Sequence, residues 1–556
     1  MGLNLVGVLG RTNFSAFDWG IVVVYLAISL VIGLTVRKYV KNMTDYVAAG
    51  RGLCTALGVA TITGTEMGLV TIMYNAEMGF KAGFAAFHIA LIACVVTFIV
   101  GVTGFFIYKL RAMKVLTIPE FYGRRFGPKV RVLGGIMLTF GGVLNMGLFL
   151  RVGSQFIVGV TGMPEQGWAL PVVMSSLLAL VLVYTILGGM ISVVITDYMQ
   201  FVVLSLGILL GTGLVIHHLG WNNIFQTVAN LKGSEGYNPT NPASGFGVEY
   251  ILWQVFVAGL VGCAIWPTAV ARALAADSPR TVKKQFAWAS VSYMIRVMVP
   301  CFLGICAFVF IMTMAPDLKE QFTPAAEGAK ADKTALEAMP VFLGRILPIG
   351  LIGVLTAAMI AAFMSTHDSY LLCWSAVITQ DIVAPLARNR MSTKARIRLT
   401  RVLIVVIGLY ILYWGLAYTG SEAIWNYMGV SGGIYYVGAF VLLLAGLYWR
   451  RASSTGAVAA LLTSCLMVLG LTPVQKAVTA LFGWTVNGKA VTFEALAKAH
   501  GYTTISNQRV SAWLCLGCAA LATVLMVVCS LLFPDKKKIP GDGVASGTPE
   551  GEGGAK

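Results

Sequence analysis

The segment Ala361-Ala-Phe-Met-Ser365-Thr366-His367-Asp368-Ser369 places two adjacent hydroxyls and a carboxylate inside one apolar run. On a helix Ser365, Asp368 and Ser369 share a face, at i, i+3 and i+4, and Thr366 adjoins it. Hard cations choose hydroxyl, carboxylate and carbonyl oxygens, and this face provides three or four of them. A broken helix opposite would add carbonyls released from its own ladder. An isolated Ser-Thr pair would only bond its own i−4 carbonyls. The carboxylate one turn away favours a cation site. Asp197 lies at a compatible depth in another apolar run. Asp197 and Asp368 could therefore share a second cation or proton site, since intramembrane acids are functional candidates. His367 points about 100° away from the Ser365 face and is read as a packing residue. Arg151, also within an apolar run, is read first as a partner for an acid and second as a contact for an anionic solute.

The elements that must carry these residues are helices in lipid. Of 556 residues, 58% are hydrophobic and only 11% are charged. A soluble domain carries about 25% charged residues, so a water-soluble enzyme, a nucleic-acid binder and a disordered chain are all excluded. A membrane-crossing helix needs about 20 apolar residues, and lipid offers no partner for unpaired backbone groups. About thirteen stretches qualify, near 17–36, 54–80, 84–110, 131–161, 168–187, 191–218, 250–273, 286–315, 339–383, 397–419, 423–449, 453–472 and 511–533. The stretch 339–383 is too long for one crossing and is expected to include a segment outside the bilayer. The fold class is thus an all-α polytopic membrane protein.

Two of these runs are interrupted. The second reads Gly58-Val-Ala-Thr-Ile-Thr-Gly64-Thr-Glu66-Met67-Gly68, and the seventh reads Gly259-Leu-Val-Gly262-Cys-Ala-Ile-Trp266-Pro267. They lie five spans apart, an odd offset that reverses direction. Carriers built from inverted repeats place their sites at such broken helices. Residues 54–218 and 250–449 are expected to be the two halves. Residues 1–53 would hold an outer N-terminus, a peripheral helix and a cytoplasmic loop. Residues 219–249 would be an extracellular loop, 450–533 two further helices with an extracellular loop, and 534–556 a disordered cytoplasmic tail.

The net charge of +17 follows topology. With the N-terminus outside, 27 of the 40 Lys and Arg residues fall on the cytoplasmic side, as the positive-inside rule requires. The expected location is the plasma (inner) membrane, with the C-terminus cytoplasmic. The ten cysteines lie mostly in apolar runs, and Cys515-x-x-Cys518 lacks the second ligand pair of a metal site. Neither a nucleophile–base pair nor a metal cluster appears, so no enzyme activity and no cofactor are expected. No nucleic acid and no obligate protein partner are implied.

Several motifs resemble the sodium/solute symporter family, which includes proline, pantothenate, sugar and sialic-acid carriers. They are Asp45-Tyr46 with Ala49-Gly50-Arg51, and Thr117-Ile-Pro-Glu-Phe-Tyr-Gly-Arg-Arg-Phe-Gly127. They continue with Tyr184 to Gly189 followed by Thr196-Asp197-Tyr-Met-Gln200, Pro267 with Arg272 and Ala275 to Ser278, and Ala362 to Asp381. The resemblance covers roughly residues 17 to 450. It implies the leucine-transporter-like five-plus-five inverted repeat, and symport of a small organic solute with Na+ as coupling ion. It also implies a sodium site at Gly64, Met67, Ala362, Ser365 and Thr366. A substrate pocket is expected near Glu66, Leu69, Val70, Asn145 and Cys263. The second sodium site of some members would fall on Asp197, Ser365, Asp368 and Ser369, a candidate second cation or proton site in which Asp368 departs from those members' serine. The pocket aromatics of proline-type members fall on Asn145, Gly259 and Cys263. A proton-coupled carrier of the same fold and a transporter-like sensor remain the alternatives.

Overall fold

The structure is a computed structural model that describes residues 12–36, 42–164, 167–322, 333–388, 390–418, 424–486, 488–502 and 505–535. The expected outer N-terminus up to residue 11 and the tail from 536 lie outside the described residues. The described chain is almost wholly helical, apart from a two-residue hairpin at Thr485–Val486 and Lys489–Ala490.

Ten helices among the described residues are long and apolar enough to cross a membrane. An eleventh crossing results if Ser454–Gly470 and Thr472–Leu481, bent by 88° about Leu471, act as one. The sequence predicts thirteen, and the difference lies in how short and bent segments are counted. Leu69–Thr103 counts once by length and composition, although Gly83 (φ 61°, ψ −145°) divides it into Leu69–Ala82 and Phe87–Thr103 near the boundary the sequence expects. Ala169–Leu219 is divided by a break at Gly189 (φ 55°, ψ −153°), where the sequence expects a turn between two spans, and Ala169–Val183 is short on its own. The expected extra segment in 339–383 is present as a separate helix, Ala335–Ile346, which ends at Leu347 before Leu351–Val377 begins.

The elements that build the site are few. We label them α1 (Ala16–Val36), α2 (Thr55–Glu66), α3 (Leu69–Ala82), α4 (Phe87–Thr103), α5 (Ala169–Leu219), α6 (Val248–Ile265), α7 (Pro267–Ala275), α8 (Pro279–Thr313), α9 (Leu351–Val377) and α10 (Ile424–Tyr448). Both interrupted sequences are broken helices. Between α2 and α3, Met67 (φ −91°, ψ 50°) and Gly68 (φ −67°, ψ 157°) leave the helical line. Between α6 and α7, Trp266 (φ −59°, ψ 125°) does so, and Pro267 opens the next helix, where its missing N–H is not needed. The middle of α6, Gln254–Val261, is wound as a π-helix, a form found mostly at functional sites.

α8 packs along both α3 and α4. Its approach to α3 is backbone to backbone. A Cβ on Gly304 would lie 1.9 Å from the Ala76 carbonyl oxygen, and one on Gly79 would lie 1.9 Å from that of Cys301. Only glycine permits this contact.

The first helix is tied to α9 by a carboxylate. Asp18, fully buried near the start of α1, accepts from the Gly350 N–H at 2.7 Å and the Gly353 N–H at 2.9 Å. These are orphan donors at the N-terminus of α9, and Gly350, which has no side chain, cannot cap them. Asp18 thus acts as an N-cap supplied from another helix.

Candidate functional site

In a continuous helix the Gly64 and Thr65 carbonyls would accept from residues 68 and 69. The break at Met67–Gly68 removes those donors, and α9 lies alongside. Ser365 Oγ donates to the Gly64 carbonyl at 2.8 Å and lies 3.2 Å from the Ala362 carbonyl. Thr366 Oγ1 lies 3.0 Å from the carbonyls of both Thr65 and Ala362. Five oxygens from two helices therefore converge, and Ser365 and Thr366 are both buried. The close approach depends on Gly68, where a Cβ would stand 2.1 Å from Thr366 Oγ1. The structure brings together Gly64, Ala362, Ser365 and Thr366 of the expected sodium set. Met67 supplies the backbone turn beside them.

A second polar cluster lies one turn along α9. Asp197 on α5 is fully buried, and Arg272 on α7, also fully buried, donates Nη2 to its Oδ2 at 3.2 Å. Thr61 donates a short hydrogen bond to the same carboxylate, and Thr65 Oγ1 is 3.2 Å from it. Arg272 Nη2 also donates to Thr65 Oγ1 at 2.6 Å and to Ser369 Oγ at 2.5 Å. Ser369 Oγ in turn lies 3.0 Å from Asp368 Oδ1. Asp197, Ser369 and Asp368 are thus linked through a guanidinium. Ser365, one turn earlier on the same helix, makes its contacts to the carbonyls of the first set. Arg272 is a residue that sequence reasoning assigns only to a motif and a cytoplasmic loop.

Glu66, the last residue of α2, is held from two sides. Thr268 on α7 donates to its Oε1 at 2.7 Å, so the two broken helices touch at their breaks. Arg296 on α8 donates Nη1 to its Oε2 at 2.9 Å and to its carbonyl at 3.1 Å. Arg296 also lies over the Tyr293 ring, 3.9 Å from its centroid. The sequence shows Arg296 only as a charge within a span. Its isolation there is the signal for a partner.

This pair borders two cavities. One is an open pocket of about 720 Å³, solvent included, lined by Glu66, Val70, Asn145 and Arg296 together with Tyr74, Trp266 and other aromatic rings. The other encloses about 600 Å³, shares Glu66 and Arg296, and reaches Thr97, Gln254, Cys263 and Tyr293. Of the expected pocket residues, Glu66, Val70, Asn145 and Cys263 border these spaces. Leu69 faces elsewhere, with its Cδ2 3.6 Å from where a Cβ on Gly153 would be. Asn145 Nδ2 donates at 3.0 Å to both the Met428 carbonyl and Ser431 Oγ on α10.

Two further residues have structural partners. Arg151 donates to the Gly415 carbonyl at 2.9 Å, not to an acid. His367 Nδ1 pairs with the Phe363 carbonyl at 2.8 Å and its ring stacks on Phe363, as the packing reading expects. Among the described residues no cluster of His, Cys, Asp and Glu is arranged to hold a transition metal.

A model of the sodium:solute symporter family matches residues 46–464. The chain belongs to this family. It is 25% identical to a sodium/glucose cotransporter of Vibrio parahaemolyticus, over 83% of this chain and 86% of that one. It is 23% identical to a sodium/proline symporter of Staphylococcus aureus, over 81% and 84% of the two chains. Its structure aligns with that of a Na+-coupled sialic acid symporter in a substrate-bound outward-open state, at a TM-score of 0.72 and 19% identity, covering 94% of this chain and 99% of that one. A nucleobase-cation-symport-1 family transporter with bromovinylhydantoin bound aligns at a TM-score of 0.51 and 13% identity, over 89% and 97%. The symporter thus shares the fold of these transporters and is a multi-pass membrane protein.

Proposed function

We propose that this symporter imports a small organic solute across the plasma membrane together with sodium, by alternating access. The observation that carries the reading is the convergence of Gly64, Thr65, Ala362, Ser365 and Thr366 oxygens at the break between α2 and α3. Hydroxyl and carbonyl oxygens at a broken helix are the donor set of an alkali cation, and Met67 supplies the turn that frees them. Sodium binding would pull α2 onto α9 and fix Glu66 at the mouth of the larger cavity. Movement of α2, α3, α6 and α7 against the remaining helices then exposes the solute inward. One charge moving inward gains about 2.3 kcal/mol per 100 mV. The N-terminus is placed outside and the C-terminus in the cytoplasm.

Proton coupling through Asp197 or Asp368 has less support. Asp197 already faces a buried guanidinium in Arg272, which occupies the place a second cation would take. The test is the melting temperature of purified protein in NaCl and in equal KCl. A ligand at 100 times its Kd adds about 2.7 kcal/mol to the folded state. We expect a sodium-specific rise that Ser365→Ala abolishes. Equal melting in the two salts, with uptake that follows pH alone, would replace sodium by protons.

A further inference from the structure

Arg296 engages only one of its three nitrogens with Glu66. Nη1 makes both contacts. Nε is buried without a hydrogen-bond partner, and among the described residues no hydrogen bond leaves Nη2. Nε and Nη2 form the side-on edge of a guanidinium, two parallel N–H donors that a carboxylate takes bidentately. The orientation of this edge is set before any solute arrives. Glu66 pins the opposite nitrogen, and the Tyr293 ring supports the guanidinium face.

The surroundings are polar and unsatisfied. The Tyr293 hydroxyl, Thr97 Oγ1 and Gln254 Oε1 are buried without partners, and all three residues line the same 600 Å³ cavity as Arg296. Native interiors leave only a few such groups per hundred residues, so four around one cavity need an explanation. A carboxylate head accepts from the three donors among them, the Arg296 edge and the Tyr293 and Thr97 hydroxyls, and leaves Gln254 Oε1 to accept from a donor elsewhere on the guest or from water. The other end of the guest would lie among Tyr74, Trp266 and Trp425, which border both cavities.

We propose that the solute is a small monocarboxylate, anchored by its carboxylate on the Nε–Nη2 edge of Arg296, with an apolar body against these rings. The assignment rests on the symport reading above. It also explains coupling. Glu66 neutralises Arg296, so an added carboxylate leaves one excess negative charge in a dry site. Sodium between Gly64 and Thr366 restores neutrality, and Thr65 and Thr366 themselves line the larger cavity. A dianion would leave a second charge uncompensated, and an amine would face the free edge of a guanidinium.

The experiment is a thermal-shift titration of the full chain with propanoate and benzoate, their amides, and propylamine and benzylamine, each in NaCl and in KCl. We expect the carboxylates to raise the melting temperature in NaCl only, and the amides and amines to leave it unchanged. Arg296→Lys keeps the charge and loses the bidentate edge. It should weaken carboxylate binding about ten- to a hundredfold, the value of one or two charge-assisted hydrogen bonds, while the sodium shift remains. Should R296K not fold, Tyr293→Phe should weaken it about three- to tenfold. Amides as effective as carboxylates, no carboxylate response at all, or undiminished affinity in these variants overturns the assignment. Loss of the sodium–potassium difference in the wild type would strike at the symport reading instead.

Discussion

Two arginines, Arg272 and Arg296, decide how the polar side chains of the core are shared out. Both Arg272 and Asp197 are fully buried, so neither charge has water to fall back on. Removing one partner of such a pair typically costs about 3–5 kcal/mol, because the other is left uncompensated. Arg272→Gln should therefore lower the melting temperature sharply, and the double variant D197N/R272Q should recover part of the loss. A single variant that melts like the wild type would mean that the pair carries no stability. The hydroxyls and the Gly64 region of the first oxygen set were legible in the sequence, because each lies in a short motif whose spacing shows a shared face. The arginine pairings were not. Asp197 and Arg272 are 75 positions apart, and Glu66 and Arg296 are 230 apart. No periodicity within one helix reports on a partner that far away. Arg272 also sits close to a basic loop, where a positive charge is explained by topology alone.

At the scale of elements, the breaks and the close approaches do the positioning. Gly68→Ala would drive a methyl group into Thr366 Oγ1 and push α9 away from α2. We expect it to abolish the sodium-specific rise in melting temperature, beyond the overpacking loss common to both salts. A full sodium shift in G68A would separate this contact from ion binding. Gly304→Val addresses the α3–α8 contact, where overpacking typically costs about 1–3 kcal/mol. It should lower the melting temperature equally in both salts, unlike G68A. The broken helices were readable from Gly64-Thr-Glu-Met-Gly68 and Trp266-Pro267, since glycine and proline weaken the ladder locally. The 88° bend after Ser454–Gly470 was not read, although Pro473 in the first turn of Thr472–Leu481 marks a helix start. The break within Ala169–Leu219 was legible, because Gly188-Gly189 reads as a turn and Gly189 takes a positive φ.

For the whole molecule, the charge asymmetry makes a claim about sidedness. In a cysteine-free background, Lys489→Cys in the small hairpin should react with an impermeant maleimide added to intact cells. Arg388→Cys, after α9, should react only once the membrane is permeabilised. Labelling in the reverse pattern would invert the orientation. Hydropathy and charge made the membrane class and the approximate spans visible, since both are sums over many residues. The number of separate crossings was less visible, since it depends on whether neighbouring apolar runs join.

The family match begins at residue 46, so α1 lies wholly before it. By length and composition α1 is an accessory helix that a truncated form of the protein could omit. Asp18 argues otherwise. It closes the first turn of α9, and α9 carries Ser365 and Thr366 about four turns from that end. Shortening the chain to the matched region would free those N–H groups, at about 1 kcal/mol for a lost cap, and would loosen the helix at the end from which its ligands are aimed. The boundary drawn by shared ancestry and the boundary of the working unit therefore do not coincide.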